Sequence, residues 1–511
     1  MSDWTAGYVA EIGYTFGYYA ELNPLRLKLM FLNQGLVYPE VGAACELGFG
    51  QGLSTNFHAA ASVTTWHGTD FNPSQAGFAH DLANAAGTDA KLYDEAFSEF
   101  AARQDLPQFD YIGLHGIWTW VSNENRAVIV EFIRTRLKVG GVVYISYNTQ
   151  PGWGAFAPMR HLLCLHAQIE GAVGEGTIGR VDGAFEFADK LLATNPIYVQ
   201  ANPKVAERFK TVKGQNRHYV AHEYFNRDWL PMHFADIADW LETAKLQFAC
   251  SAHPMDHVEG FNMTGEQQEL LKSIGNPILR ESARDFITNQ QFRRDYWVKG
   301  RRPLNAVERM EALHEQKMIL VTERASIALK VPGPAGEAQL NEGIYKPLLD
   351  LMADHKPRTL GQLEAALKEQ GIDFGQILQS AIVLSGLGHF AAVQSDAVIA
   401  KVRKQTEKIN LHLMRKARGD DEVEFLASPV TGGGVSVAKF HQLFLLALAQ
   451  GKRQPPDWAE FAWAVVKSQG RRLIKDGKAI VTEEENYAEL VDQANTFAKK
   501  RLPILKALMV A

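Results

Sequence analysis

The chain has 511 residues, a formal net charge of -5 and a pI of about 6.4. That length exceeds what a single hydrophobic core supports, so we expect roughly two to four domains. The acidic balance predicts no general attraction to nucleic acid or to an anionic membrane surface. The sequence shows no basic and apolar leader, no apolar run of ~20 residues and no metal-ligand spacing among its cysteines, Cys45, Cys164 and Cys250. We therefore expect a cytoplasmic protein without membrane insertion and without a metal site.

Between about residues 40 and 150, short apolar segments alternate with segments of helical period. This alternation predicts a parallel, doubly wound α/β sheet. The predicted strands are Ala43 to Leu47, Thr64 to Asp70, the region of Leu92 and Tyr93, Phe109 to His115, and Val142 to Ile145.

After residue 150 we expect a mostly helical insertion, at about 156–213, before the sheet resumes. Arg217 to His222 and Leu246 to Ser251 are predicted as two further strands, so that a seven-strand sheet ends near residue 255. The segment from Arg293 to Arg302 mixes basic and aromatic residues, which we interpret as a solvated helix face or an interdomain contact rather than an RNA-binding surface.

The rest of the chain reads as mostly helical, with three amphipathic segments and a short strand at Phe390 to Val393 that predict a winged-helix-like module. The predicted division is therefore a catalytic or binding domain at 1–255, a helical middle domain at 256–335 and a C-terminal domain at 336–511.

The first predicted strand ends in Glu46-Leu47-Gly48-Phe49-Gly50-Gln51-Gly52. Glycine tolerates the backbone angles of a tight turn and lets the chain pass close to a ligand. The second predicted strand ends in Asp70, followed by Phe71, where a ribose hydroxyl needs an acceptor. The pattern indicates a nucleoside site, and the alternative is a strand-to-helix turn in which Asp70 only caps a helix.

The spacing of the glycines bears on which nucleoside is bound. A dinucleotide fold needs Gly-x-Gly-x-x-Gly, whereas here the third glycine comes one residue early and Glu46 precedes the first. A carboxylate there repels a pyrophosphate but suits a cation. S-adenosylmethionine carries an ammonium and a sulfonium and no phosphate, so the segment resembles the class I methyltransferases, and a nicotinamide-dependent dehydrogenase is disfavoured.

Further candidates follow the later strands. Asp94-Glu95-Ala96-Phe97 lies where adenine contacts are expected, with an ordinary turn as the alternative. His115 can contact both cofactor and acceptor and can orient or deprotonate a nucleophile, or it is a core histidine. Tyr147 and Asn148 are predicted to face the methyl acceptor. In the aromatic run Tyr14 to Tyr19, Tyr18 is the predicted lid residue, and simple packing is the alternative.

Three passages together resemble the bacterial methyltransferases that carry a methyltransferase regulatory domain. They are the aromatic N-terminus with Glu21 to Pro24, the pair Leu114 to Ile117 with Ser146 to Trp153, and Phe292 to Gly300. The resemblance spans the chain from about residue 8 and includes the rickettsial lysine methyltransferases. It implies a seven-strand, Rossmann-like catalytic domain followed by helical regulatory and C-terminal domains.

The resemblance also implies S-adenosylmethionine as cofactor and S-adenosylhomocysteine as product. We expect methyl transfer by in-line displacement to a protein side-chain amine, most simply a lysine. A sugar or another small metabolite is the alternative acceptor. A protein of a different class, which binds S-adenosylmethionine without turnover and acts as a regulator, also fits the large second half of the chain.

Overall fold

The computed structural model describes residues 7, 8, 12, 15–171, 173–333, 336–420 and 422–511. Its main feature is a seven-stranded sheet of order β3-β2-β1-β4-β5-β7-β6. Strands β1 to β5 run parallel, and β7 pairs antiparallel with both β5 and β6. The strands are β1 (Ala43–Leu47), β2 (Thr65–Thr69), β3 (Lys91–Tyr93), β4 (Phe109–Leu114), β5 (Leu137–Asn148), β6 (Leu246–Ser251) and β7 (Phe292–Lys299).

Helices connect these strands as the alternating pattern predicts. Pro73 opens α3 and Asn72 caps it by accepting from Ser74 N at 3.0 Å, while Ser122 caps α5 by accepting from Asn125 N at 3.3 Å. The predicted doubly wound fold is confirmed. The helices of this part are α1 (Pro24–Asn33), α2 (Leu53–Ala61), α3 (Pro73–Ala86), α4 (Phe97–Ala102), α5 (Asn123–Arg136) and α11 (Phe234–Glu242).

The predicted insertion after β5 is helical and forms its own apolar cluster around Trp153, Phe156 and Phe209. Its helices are α6 (Ala157–Ile169), α7 (Gly176–Ala193), α8 (Ile197–Ala201), α9 (Lys204–Lys213) and α10 (Arg217–Tyr224). The prediction of a strand over Arg217 to His222 is therefore wrong. Asn216 caps this helix, and its buried residues Val220, Ala221 and Tyr224 follow helical spacing rather than the alternation of a strand.

The sheet does not end near residue 255, because β7 fills the gap between β5 and β6. This strand includes residues 293–299 of the segment interpreted as a solvated helix face, and it is largely buried, whereas residues 300–302 are exposed. Its charged residues hid the strand pattern: Arg293 and Asp295 share one face, and Arg294 lies on the other. The chain reaches β7 through α12 (Glu259–Asn262), α13 (Gly265–Ser273) and α14 (Pro277–Thr288).

The remainder of the chain is rich in helix, as predicted. Three amphipathic helices and the strand at Phe390 are present, and β12 joins β11 and β8 in a small sheet. Its elements are α15 (Ala306–His314), β8 (Lys317–Leu320), β9 (Lys330–Gly333), β10 (Gly336–Gln339), α16 (Glu342–Leu351), β11 (Arg358–Thr359), α17 (Leu360–Leu367), α18 (Phe374–Gly386), β12 (Phe390–Ala392), α19 (Asp396–Lys416), β13 (Phe425–Ser428), β14 (Gly433–Ser436), α20 (Lys439–Ala449), α21 (Pro455–Ser468), β15 (Ile474–Lys475), β16 (Lys478–Ala479), α22 (Glu483–Thr496) and α23 (Leu502–Ala507).

The two faces of the large sheet are buried in different apolar clusters. One cluster includes Tyr144 and Tyr296 and continues into α1 and the small sheet, while the other includes Tyr147 and Trp297 and continues into α5 and α11. A cavity of about 800 Å³ lies between α14, β7 and α18 and is lined by charged residues that include Arg293 and Asp285. Within the described ranges, no helix is long and apolar enough to cross a membrane.

Candidate functional site

The turn after β1 has the backbone that its glycines predict. Gly48, Gly50 and Gly52 have φ angles of +72°, +58° and +70°, in the left-handed region that glycine adopts without strain. Gly48 N donates to the carbonyl oxygen of Thr69 at 2.8 Å, and Gly52 N donates to that of Phe49 at 2.9 Å. The turn is thereby held against the end of β2.

Two of the glycines lie close to other side chains and one faces open space. A Cβ at Gly48 would lie 2.3 Å from Ile117 Cδ1, and a Cβ at Gly52 would lie 2.5 Å from Ala79 Cβ. A Cβ at Gly50 would meet no atom of the described chain within 4 Å. The middle of the turn is therefore where a ligand can approach the backbone.

Asp70 links this turn to the end of β2. Its Oδ2 accepts from Gly50 N at 2.8 Å and its Oδ1 accepts from Asn72 N at 3.0 Å, which leaves about half of the carboxylate's acceptor capacity unused. Burial raises the pKa of Asp70 to about 6, and these two backbone N–H groups act in the opposite direction. Phe71 follows, with its ring edge-on to Tyr8 at 5.9 Å between centroids.

Glu46 is buried below the turn, where its Oε2 accepts from the Thr55 hydroxyl. Burial raises the pKa of Glu46 to about 8; the Thr55 bond opposes this rise and the charge of Asp70 adds to it. A cation placed beside this carboxyl would lower its pKa again. Phe49 packs into an apolar cluster with Leu92, and Gln51 is half-buried on the turn.

The four residues after β3 differ in how they are held. Asp94 is exposed, whereas Glu95 pairs with Arg103 at 2.6 Å and its carbonyl oxygen accepts from the Thr69 hydroxyl. Ala96 N donates to Glu99 Oε2 at 2.9 Å, and Phe97, half-buried, begins α4. The structure thus brings the ends of β1, β2 and β3 together at one edge of the sheet.

His115 follows β4 at the same edge. Its Nδ1 lies 2.8 Å from the Tyr144 hydroxyl, and Tyr19 stacks on its ring at 3.8 Å between centroids. Burial lowers the pKa of His115 to about 4; the charge of Glu21 raises it and that of Arg294 lowers it. His115 is therefore neutral near pH 7.

Tyr147 and Asn148, both predicted to face the acceptor, lie on opposite faces of β5. Tyr147 lies on the face away from Tyr144, where its hydroxyl donates to Asp295 Oδ2 at 2.7 Å. Its side chain is fully buried, so the predicted contact with an acceptor does not occur in this arrangement. Asn148 shares the face of Tyr144, and its backbone N donates to Thr119 Oγ1 at 2.9 Å.

The aromatic N-terminal segment does cover this edge, but not through Tyr18. The Tyr18 hydroxyl lies 3.2 Å from His58 Nε2, and its ring packs against Phe57 and Phe425, between α2 and the β13–β14 hairpin. Tyr19 occupies the place predicted for Tyr18, since its ring stacks on His115. Tyr14 lies outside the described residues.

The sequence predicts that His222 and Glu223 add polar groups to this rim, and Tyr8 and Tyr219, which it does not single out, complete the edge. Tyr8 packs against Phe71 and lies 5.5 Å from the ring of His222 on α10. Burial raises the pKa of Tyr8, and the nearby charges of Asp70 and Glu223 add to the rise. Burial also raises the pKa of Tyr219 to about 12, again with Glu223 as the next cause. Tyr8 and Tyr219 are recognisable in the sequence only as aromatic residues, and Tyr219 lies on α10, where the sequence pattern predicts a strand.

Comparison with known proteins defines the class of this fold. The structure of PKMT2 from Rickettsia typhi in complex with AdoHcy superimposes with a TM-score of 0.69 at 18% identity, over 98% of this chain and all of that one. The family model described as "Predicted methyltransferase regulatory domain" matches residues 216–299. Together they confirm the predicted Rossmann-like methyltransferase fold and identify a segment of this chain that is similar to a methyltransferase regulatory domain.

One of two sequence relatives shows the family. Protein sll1526 of Synechocystis sp. is 40% identical over 513 residues, covering 99% of this chain and all of that protein. RP789 of Rickettsia prowazekii is 26% identical over 291 residues, covering 55% of this chain and 51% of that protein. The chain belongs to the same family as sll1526 of Synechocystis. Its regulatory-domain match begins at α10 and contributes β6 and β7 to the large sheet.

Proposed function

We propose that this protein transfers a methyl group from S-adenosylmethionine to a side-chain amine, a lysine, of another protein. The observation that carries the proposal is the aromatic and acidic rim made by Tyr8, Tyr19, Tyr219 and Glu223 beside the neutral His115. Electron-rich rings and a carboxylate attract an ammonium group, each ring by about 0.5–2 kcal/mol. The resemblance to lysine methyltransferases points to the same acceptor.

The residues at the strand ends fit the cofactor. We assign the open backbone at Gly50, with Gly48 and Gly52 beside it, to its methionine part, and Asp70 to its ribose hydroxyls. The buried Glu46 lies under the turn, where a positive charge above it would be favoured. Asp94 to Phe97 would contact the adenine. When bound, the cofactor supplies the methyl group: a nitrogen–carbon bond forms as the carbon–sulfur bond breaks, and the electron pair stays on sulfur.

The protein must present the amine with its lone pair free. When His115 Nδ1 donates to the Tyr144 hydroxyl, Nε2 keeps a lone pair that can accept from an amine N–H. With a pKa near 4, this imidazole is a weak base, so we assign His115 to orienting the amine and solvent water to taking up the released proton. Three unpaired cysteines support the cytoplasm as the location.

The assignment of the cofactor site is tested by titration with S-adenosylhomocysteine. Asp70→Ala removes a charged acceptor and should weaken binding by about 1.5–3 kcal/mol, roughly 10- to 150-fold. Asp239→Ala, at an exposed carboxylate on α11, is the matched control and should change the dissociation constant by less than about threefold. Equal affinity of the Asp70→Ala variant and the unaltered protein would contradict the assignment.

The acceptor is tested by incubating the protein and labelled S-adenosylmethionine with cell extract. Recovery of the label as N-methyl-lysine after complete hydrolysis of the protein fraction supports the proposal. Label confined to sugars or other small metabolites overturns the protein acceptor and leaves the methyltransferase. Tight cofactor binding without label in any fraction would instead favour a regulatory protein that does not turn the cofactor over.

A further inference from the structure

Strand β7 brings a charged residue of the regulatory-domain region next to His115. Its register with β5 pairs Arg294 with Ser146, two residues beyond Tyr144 on the same face. Arg294 NH1 donates to Glu21 Oε1 at 2.9 Å, and Glu21 lies two residues after Tyr19, whose ring stacks on His115. One ion pair therefore joins the regulatory region, the N-terminal segment and the candidate acceptor site.

The groups around His115 come from three elements of the chain. Tyr19 and Glu21 come from the N-terminal segment, Tyr144 comes from β5, and Arg294 comes from β7, together with the ring of Phe292 at 6.2 Å. The two formal charges have opposite signs and are bonded to each other. Removal of either one changes the net charge beside the imidazole.

Glu21 is held from several directions. Its carbonyl oxygen accepts from the Tyr296 hydroxyl at 3.3 Å and from that of Tyr111 at 3.5 Å, so its backbone is fixed on the sheet. Arg26 on α1 adds a second positive charge near its carboxylate. Only 15% of the Glu21 side chain and 28% of the Arg294 side chain are exposed. Such a pair can transmit a displacement of β7 to the segment that carries Tyr19.

We propose that Arg294 and Glu21 are a positioning pair, through which the regulatory region holds the Tyr19–His115–Tyr144 stack in place and sets its electrostatic environment. This inference deepens the proposed function, on which it rests for the role of His115. Neither residue touches the reacting atoms. We expect the pair to hold the Tyr19 ring in place and to help keep His115 neutral.

The two charges should act on His115 in opposite directions. In Glu21→Gln the remaining charge of Arg294 should lower the pKa of the imidazole, and in Arg294→Gln the remaining charge of Glu21, offset in part by Arg26, should raise it. For charges in a partly solvated site we expect shifts of about 0.5–1 pH unit. The double variant should return close to the value of the unaltered protein. General damage to the fold cannot produce shifts of opposite sign.

The experiment follows the His115 ring by NMR with carbon-13-labelled histidine, and the signal is assigned with a His115→Gln variant. Arg324→Gln is the matched control. Arg324 also pairs with one carboxylate, Asp350 at 2.8 Å, and its side chain is 25% exposed. It lies in the region of the small sheet and is distant from His115 in the sequence. Opposite shifts in the two single variants and none in the control support the pair. Shifts of the same sign, or no shift, overturn it.

A kinetic readout separates this inference from the proposed function. If a protein acceptor is methylated, Arg294→Gln should lower kcat more strongly toward acid pH, with little change in the KM for S-adenosylmethionine, and Arg294→Lys should recover part of the loss. If no acceptor is methylated, the proposed function fails while the NMR titration still decides on the pair. A uniform loss of kcat at every pH, with no recovery by lysine, contradicts the positioning role.

Discussion

Two adjacent arginines of β7 lie in contrasting surroundings on the two faces of one strand. Arg294 is 28% exposed, pairs with one carboxylate and lies near His115. Arg293 is 5% exposed and donates to three carboxylates: Asp295 at 2.9 Å, Asp285 at 2.6 Å and Glu281 at 3.0 Å. Its guanidinium also covers the ring of Phe234 at 4.3 Å.

The difference shows how one strand serves two purposes. Buried ions are costly unless they are paired, so the cluster around Arg293 must stay intact for β7 to remain in the sheet. The Glu21–Arg294 pair is partly exposed, so it contributes less to stability than the Arg293 cluster. We infer that the Arg293 face fixes the strand in the sheet, while the Arg294 face positions the site.

The largest expected effect is on stability. Arg293→Met leaves three buried carboxylates without their shared cation and should lower the free energy of unfolding by about 3–5 kcal/mol. Arg294→Met should lower it by less than about 1 kcal/mol. Urea unfolding followed by fluorescence measures both. Similar losses in the two variants would remove the distinction between the faces.

A smaller effect is expected from pH. Burial raises the pKa of Asp285 to about 7, with the charge of Arg293 acting in the opposite direction. The same cause raises the pKa of Glu46 and Asp70 to about 8 and about 6. Carboxyl groups of the unfolded chain titrate near pH 4, so between about pH 4 and 7 the folded protein keeps protons that the unfolded chain has lost.

The free energy of unfolding should therefore fall as the pH rises through that window, by on the order of 1–3 kcal/mol. Asp285→Asn should flatten the dependence in part and leave the contributions of Glu46 and Asp70. Urea unfolding at about pH 5, 6, 7 and 8 measures the slope. If the free energy of unfolding of Asp285→Asn depended on pH as it does in the unaltered protein, the titrating groups would lie outside the Arg293 cluster.

The smallest expected effects come from substitutions of two tyrosines on opposite faces of β5, one affecting stability and the other kcat. Tyr147→Phe removes the donor to Asp295 and should cost about 1–2 kcal/mol of stability, with kcat unchanged. Tyr144→Phe removes the partner of His115 Nδ1 and should lower kcat about fivefold, or about 1 kcal/mol. Thermal unfolding and steady-state kinetics measure the two effects. If Tyr144→Phe lowered only stability and Tyr147→Phe lowered only kcat, the roles assigned to the two faces would be exchanged.

Local patterns were sufficient for the glycine turn and for Asp70. Positive φ angles at Gly48, Gly50 and Gly52, and the end of a buried strand at Thr69, are each specified by residues close in sequence. The same is true of the helices that open at Pro73 and after Ser122. The contacts of Asp70 with the turn also follow, since parallel strands end at one edge of the sheet.

Contacts between distant segments could not be predicted in this way. Tyr18 and Tyr19 are adjacent aromatic residues, and only the packing of Tyr18 against Phe425, about 400 residues away, decides which of them reaches His115. Strand β7 was missed because its charged residues are satisfied by Glu281 and Asp285 of α14, and not by solvent. Burial of paired charges removes the alternation on which strand recognition depends.

The position of β7 between β5 and β6 has a consequence for the synthesis of the chain. Strand β6 joins the sheet only through β7, and the ribosome completes β7 48 residues after the end of β6. Until residue 299 has been made, β5 has one open edge and β6 has no neighbour, which exposes the nascent chain to misassociation. A fragment truncated near residue 255 should therefore aggregate, whereas one that extends beyond residue 299 can complete its sheet.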